Sequence, residues 1–296
     1  MRFGITPLEL ANIISLVSEG GKVDFRRFSF EQIIRATRER GFSLMEVTMD
    51  VGFVLPGGLT EQTVTALKAV KDELGLTFTA HLPLWAIEPA CPNAIMREAS
   101  LECLVDAVEL VRPLEPEVFV LHATGALAAE FSRLQVSPFI KNIITDQFAS
   151  LAEQSVRELL KRTKLPSRRI ALENIEFPFE GTWRVAECLD TSICFDTGHL
   201  LAGYSGPIEV LDFVKRYYGR IREVHLHDGG HNPVGDNVVR RFDHQTLGTG
   251  ALPIEALLTE LQKRRYKGAI IFELTQSQAL ASLEVIRKRL PDLAIE

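Results

Sequence analysis

The chain has 296 residues, 46% of them hydrophobic and 24% charged, with a formal net charge of −6. That is enough apolar material for one large core, so extensive disorder is excluded, and the acidic balance speaks against general affinity for nucleic acid, whose binders neutralise many phosphates with clustered Lys and Arg. Residues 1–10 lack a basic segment followed by an apolar one, and no uninterrupted apolar run of about 18 residues occurs, so a soluble cytoplasmic protein without membrane contact is expected. Oligomeric state is not legible.

In chain order, short β-branched or apolar runs alternate with longer amphipathic segments, the signature of βα units around a parallel sheet. The predicted strands are 2–6, 44–49, 76–82, 118–122, 170–175, 192–195, 223–226 and 269–274. Between them, Ser29 and Gln32 have the spacing of a capping box for a helix that Gly41 ends. Further helices are predicted to start near Thr60, Asn93, Gln147, Pro207, Pro253 and Gln278, with a weaker one at 184–189. Eight strands without a low-complexity linker predict a (β/α)₈ barrel, one domain spanning 1–296. No GxGxxG follows the first strand, as an open dinucleotide-binding sheet would require.

Long connections are expected after strands one, two, three, four and seven. They carry apolar residues in positions expected to meet solvent, namely Phe53, Leu55, Trp85, Phe131 and Phe139, which either pack on the barrel rim or cover a partly apolar ligand. Cys91, Cys103, Cys188 and Cys194 show no CxxC spacing and read as free thiols.

The seven histidines, His81, His122, His199, His225, His227, His231 and His244, all fall at predicted strand ends or in the loops after them, and none in a predicted helix. Glu173, Asp196 and Glu273 end apolar strands in the same way. Singly, each is explained as a rim hydrogen-bonder, a helix cap or an ion-pair partner. Together, on one face of a barrel, carboxylates and neutral imidazoles suit Zn²⁺, Mn²⁺ or a similar divalent ion.

The strand ends Thr-Ala-His81, Leu-His122-Ala-Thr-Gly, Leu-Glu173-Asn, Phe-Asp196-Thr-Gly-His199, Val-His225-Leu-His-Asp, His244-Gln-Thr-Leu-Gly-Thr-Gly and Phe-Glu273-Leu resemble the xylose-isomerase-like TIM barrels, which include sugar isomerases and epimerases and the endonuclease IV family. For an isomerase or epimerase the resemblance implies one ion held by Glu173, Asp196, His225 and Glu273, the two glutamates exchanging a proton beside a carbonyl. For an endonuclease-IV-like enzyme it implies two or three ions. His81 and His122 would hold the first, Glu173 would bridge to a second bound by Asp196, His225 and Glu273, and His199 and His244 would belong to a third. On this reading Glu173, Glu273, His199 and His244 also serve catalysis. Phe242 stands where that family has an aspartate, with Asp243, Asp228, His227 or His231 as possible substitutes.

The additional imidazoles favour a phosphodiester hydrolase over an isomerase. Basic clusters at Arg35–Arg38–Arg40, Lys161–Arg162 and Lys263–Arg264–Arg265 fall on or at the ends of predicted helices, and only Arg240–Arg241, beside His244, is placed to hold a phosphate, so a small-molecule phosphodiester is expected rather than DNA. The endonuclease-IV-like group includes enzymes that cleave the nucleotide loop of cobamides. His227, His231, Arg241 and Trp85 are the candidate substrate contacts.

Overall fold

The computed structural model describes residues 1–7, 13, 17–50, 55, 58–233 and 239–296. Phe53 lies outside them. Eight parallel strands close into a barrel: β1 (Phe3–Ile5), β4 (Leu44–Thr48), β5 (Thr77–His81), β6 (Phe119–Leu121), β7 (Ile170–Glu173), β8 (Ser192–Asp196), β9 (Ile221–His225) and β12 (Ala269–Phe272). β1 pairs with both β4 and β12, which closes the ring. The strands read as continuous apolar runs because both faces are covered, by helices outside and by side chains inside. Each expected strand overlaps one of them, with β8 running on to Asp196 and β9 starting earlier, at Ile221, and the fold is a (β/α)₈ barrel.

The helices start where local chemistry satisfies their first N–H groups. Ser29 caps α1 (Phe30–Glu39), Thr60 caps α2 (Glu61–Leu74) and Asn93 caps α3 (Ala94–Val111). After β6 come α4 (Ala126–Ser132) and α5 (Pro138–Thr163), and α6 (Phe179–Leu189) follows β7. A short α7 (Thr197–Leu201) follows β8 directly, then α8 (Val210–Tyr217). Pro253 precedes α9 (Ile254–Lys263), and a full capping box between Thr275 and Gln278 opens α10 (Gln276–Arg289).

Five expectations need correction. α5 begins at Pro138, not near Gln147, because Ser137 caps it with Pro138 in the first turn, and Phe139, Ile140 and Ile143 there face outward, so no inward apolar period announces that segment. α6 likewise begins before 184, at Phe179. Phe131 and Phe139 therefore sit on helices, not in loops. His199 lies within α7. The segment after β9 forms a hairpin, β10 (Asp228–Pro233) with β11 (Val239–Gln245), in a Gly-, Asn- and His-rich sequence with weak strand propensity. A second small hairpin pairs β2 (Ser18–Glu19) with β3 (Lys22–Val23).

The basic clusters lie on the outer helices or at their C-terminal ends, where Arg40, Arg264 and Arg265 fall just past α1 and α9. Arg35 pairs with Glu31 and Glu73, and Arg162 with Glu98, Glu102 and Glu158. All four cysteines are free thiols. Among the described residues no helix is long and apolar enough to cross a membrane.

Candidate metal centre

In a TIM barrel the C-terminal strand ends share one mouth, and here they gather His81 (β5), His122 (just after β6), Glu173 (β7), Asp196 (β8), His225 (β9) and Glu273 (just after β12). Glu173 stands at the centre. Its Oε2 lies 3.2 Å from His81 Nε2 and 3.0 Å from His122 Nε2, while its Oε1 lies 3.3 Å from His199 Nδ1 and 3.4 Å from His225 Nδ1. Donor atoms about 2.1 Å from a tetrahedral divalent ion stand about 3.4 Å apart, so these separations fit a ligand shell as well as the direct hydrogen bonds of His81 and His122 to Glu173.

The tautomers support the same conclusion. His81 Nδ1 donates to the Leu82 carbonyl at 2.9 Å, which leaves Nε2 as the nitrogen that faces Glu173, to share a proton with it or to bind an ion. His225 Nε2 lies 3.3 Å from Glu46 Oε2 and donates to it. Its Nδ1, fully buried, has no hydrogen-bond partner among the described residues and faces Glu173, Glu273 and Asp196 at 3.4, 3.4 and 3.8 Å. A buried lone pair among three carboxylates is favourable only with a cation between them, a proton or a metal ion.

Protonation responds accordingly. Burial opposes charge on His81, but Glu173, Glu46 and Glu273 outweigh it and raise its pKa to about 10; burial and the competing acidic groups bring His199 to about 9 and His244 to about 11. Against its own burial, Glu173 is held well below the usual carboxylate range by His225, His122 and His199.

Asp196 has two tasks. Oδ1 caps α7 by accepting the His199 N–H at 2.6 Å, and Oδ2 accepts from His227 Nε2 at 2.8 Å. His227 Nδ1 accepts the His244 N–H at 2.9 Å. Both ring nitrogens of His227 are thus bound to protein groups, and this histidine orients Asp196 instead of facing a ligand. A Cβ on Gly198 would come within 2.2 Å of the His227 ring, which is why glycine stands in Asp-Thr-Gly-His. His231 is exposed on the hairpin, its Nδ1 3.0 Å from the Leu201 carbonyl. Arg241 donates to the Ala202 carbonyl and lies over Tyr204, in a separate cavity shared with Arg133 and Lys141.

The hairpin accounts for Phe242. Between Asp228 and Gly230 the β10–β11 register slips, Asp228 opposing Gln245 and Gly230 opposing Phe242, so β11 carries one extra residue. His244 there adopts φ +50°. Such a bulge re-aims side chains, and successive Asp243 and His244 turn to the same side: Asp243 lies 3.7 Å from His199 and 3.1 Å from His244. His199, Asp243 and His244 form a second group able to hold an ion. Asp228, by contrast, is structural, accepting the N–H groups of Gly229, Gly248 and Leu252. A Cβ on Gly250 would stand 2.4 Å from its Oδ1, which explains the last glycine of Leu-Gly-Thr-Gly.

Sequence reasoning missed Glu46, Asn174 and Asp50. Glu46 lies in mid-strand, where alternation marks it only as an inward residue. Asn174 clasps the Asp196 backbone at both N–H and carbonyl, and Asp50 accepts from the N–H groups of Leu84 and Trp85. Beside the ring, a cavity of about 460 Å³ is lined by His122, His199, Trp85, Ile175 and Glu176 among others.

The chain belongs to the xylose isomerase-like TIM barrel family, which it matches over residues 34–289. Among curated proteins it is 25% identical over 244 residues to an uncharacterized protein of Methanocaldococcus jannaschii, covering 78% of this chain and 76% of that one. It is also 32% identical over 102 residues to an inosose dehydratase 2 of Bacillus cereus, only 31% of this chain and 33% of that protein. Solved structures with this fold include a D-tagatose 3-epimerase-like protein (TM-score 0.70, 21% identity, 98% and 97% coverage), endonuclease IV from Thermus thermophilus (0.62, 20%, 89% and 94%) and a Thermus thermophilus protein soaked with ZnCl₂ (0.61, 18%, 90% and 95%).

Proposed function

We propose that this chain is a metal-dependent hydrolase of a small-molecule phosphodiester, working with at least two divalent ions, Zn²⁺ or Mn²⁺. The observation that carries the reading is the two-sided use of Glu173, with Oε2 toward His81 and His122 and Oε1 toward His225 and His199. A carboxylate so placed suits a bridge between two ions. His81 and His122 would complete one shell, Asp196, His225 and Glu273 the other, and His199, Asp243 and His244 offer a third. Ions held there supply Lewis-acid polarisation of a phosphoryl oxygen and acidify a water at neutral pH.

The protein's own groups prepare that chemistry. Leu82 and Glu46 fix the tautomers of His81 and His225 so that the free lone pairs converge, and Asn174 and His227 hold Asp196 in place. His244, 46% exposed at its side chain, and His199 stand at the mouth, where they can stabilise charge on the departing oxygen. The cavity accepts a bulky ester arm, and the nucleotide loop of a cobamide is among the substrates to assay. The cationic helices pair with carboxylates on the outer face, which supports a small substrate over a nucleic acid.

A second reading rests on Glu173 and Glu273 both lying 3.4 Å from His225 Nδ1, with Asp196 beside them. Those four could hold one ion for a sugar isomerase or epimerase, the glutamates transferring the proton. The two readings separate in one experiment, ion content per chain with and without His122→Ala. Two or more ions falling by about one, together with lost ester cleavage, supports the hydrolase; a single ion unaffected by the substitution, with solvent deuterium entering a sugar carbon, supports the isomerase.

A further inference from the structure

Trp85, on the loop that follows β5, is 56% exposed and lines the 460 Å³ cavity together with His122. Among the described residues no other ring packs on its indole. Exposing so large an apolar surface is unfavourable, and the chain spends further structure on keeping it there. Asp50, 1% exposed, directs both carboxylate oxygens to the Leu84 N–H and one of them also to the Trp85 N–H, at 2.9–3.1 Å. Ala86 adopts φ +60°, a left-handed conformation that an L side chain resists. Farther along, the Glu88 N–H donates to the Ser100 hydroxyl oxygen and the Glu88 carboxylate accepts the Leu127 N–H on α4, tying the loop to the opposite wall. Strain and buried charge concentrated on one exposed side chain are features of a preorganised ligand contact.

The remaining wall fixes the shape of what enters. Gly125, Ala126, Ala129 and Ala86 are the small residues that line this slot together with the indole, Thr124 and Glu176 add polar atoms, and His122 and His199 join it to the candidate metal ring through Glu173. We infer that this slot is a subsite for a flat heteroaromatic ring carried on one arm of the phosphoester, with Trp85 as its stacking surface and Asp50 as the residue that positions Trp85. The inference rests on the phosphoester reading above for what lies at the ring, and on the loop for what lies in the slot.

The chain has two tryptophans, so Trp183→Phe leaves Trp85 as the sole indole reporter. With metal-loaded protein in that background, adenosine 5′-monophosphate should quench the fluorescence and bind at least about tenfold more tightly than ribose 5-phosphate, the range of a single base–aromatic stack. By calorimetry, Trp85→Ala should bring the ratio to about one, Trp85→Phe should keep part of it, and Asp50→Ala should reduce it without changing the ion content. Equal affinities, including no detectable binding of either probe, or a ratio that survives Trp85→Ala, overturns the subsite. A ring preference that persists in a protein unable to cleave any phosphoester upholds the subsite and removes the hydrolase reading instead.

Discussion

His225 and Glu46, 179 residues apart in sequence and both fully buried, meet at 3.3 Å through Nε2 and Oε2. Thr6, just after β1, donates to the other Glu46 oxygen at 3.2 Å, so the carboxylate is held from both sides. The pair fixes which imidazole nitrogen faces the acidic ring. Glu46→Leu should weaken divalent-ion binding by about 10–100-fold, and Glu46→Gln, which keeps an acceptor oxygen, by less. Competition with a chromogenic chelator measures both; equal affinity in wild type and Glu46→Leu would show that the contact does not act on the ion.

Ion binding should release protons. In the metal-free protein His81, His199 and His244 titrate at about 10, 9 and 11 and so are charged at neutral pH, whereas a metal ligand must be a neutral imidazole. Calorimetric titration of Zn²⁺ in two buffers of different ionisation enthalpy reads the number released. The same shifts give the sign for stability: raised above the ordinary value of 6.5, these histidines stabilise the metal-free fold below that pH and lose the contribution as pH rises through their folded values. Metal-free protein should therefore melt at lower temperature in alkaline buffer, while ion affinity should increase with pH.

The bulge in β11 makes Asp243, and not Phe242, the carboxylate partner of His199 and His244. Asp243→Ala should reduce the ion count by about one relative to wild type if three ions are bound, and Phe242→Ala should leave it unchanged. Elemental analysis of the purified variants decides; a loss on Phe242→Ala alone would refute the assignment of the carboxylate.

Gly250 faces the Asp228 carboxylate at a distance a Cβ cannot occupy, and Asp228 holds three backbone N–H groups around the β9–β10 junction. Gly250→Ala should cost about 2–4 kcal/mol, by overpacking and by disturbing hydrogen bonds to a buried charge. Chemical denaturation provides the check, and an unchanged midpoint would mean that the junction relaxes without cost.

The strand-end motifs made much of this protein legible in one dimension. Eight apolar runs alternating with capped amphipathic segments specify a βα barrel because parallel strands covered on both faces need that pattern, and the barrel then places His81, His122, Glu173, Asp196, His225 and Glu273 at one mouth whatever their separation in sequence. Residues whose role depends on register or direction were not legible. Glu46 is one inward residue among several until the barrel closes it onto His225; His227 resembles its neighbour His225 in sequence, yet both its nitrogens are taken up by Asp196 and the His244 N–H; Asp243 gains its place from a bulge in a hairpin with weak strand propensity. Periodicity records which residues are buried and on which element, since burial follows the repeat of the backbone. Which atom of a side chain meets which partner is settled only when distant strands close on one another, and in this chain that step separates the histidines that point into the acidic ring from those that support it.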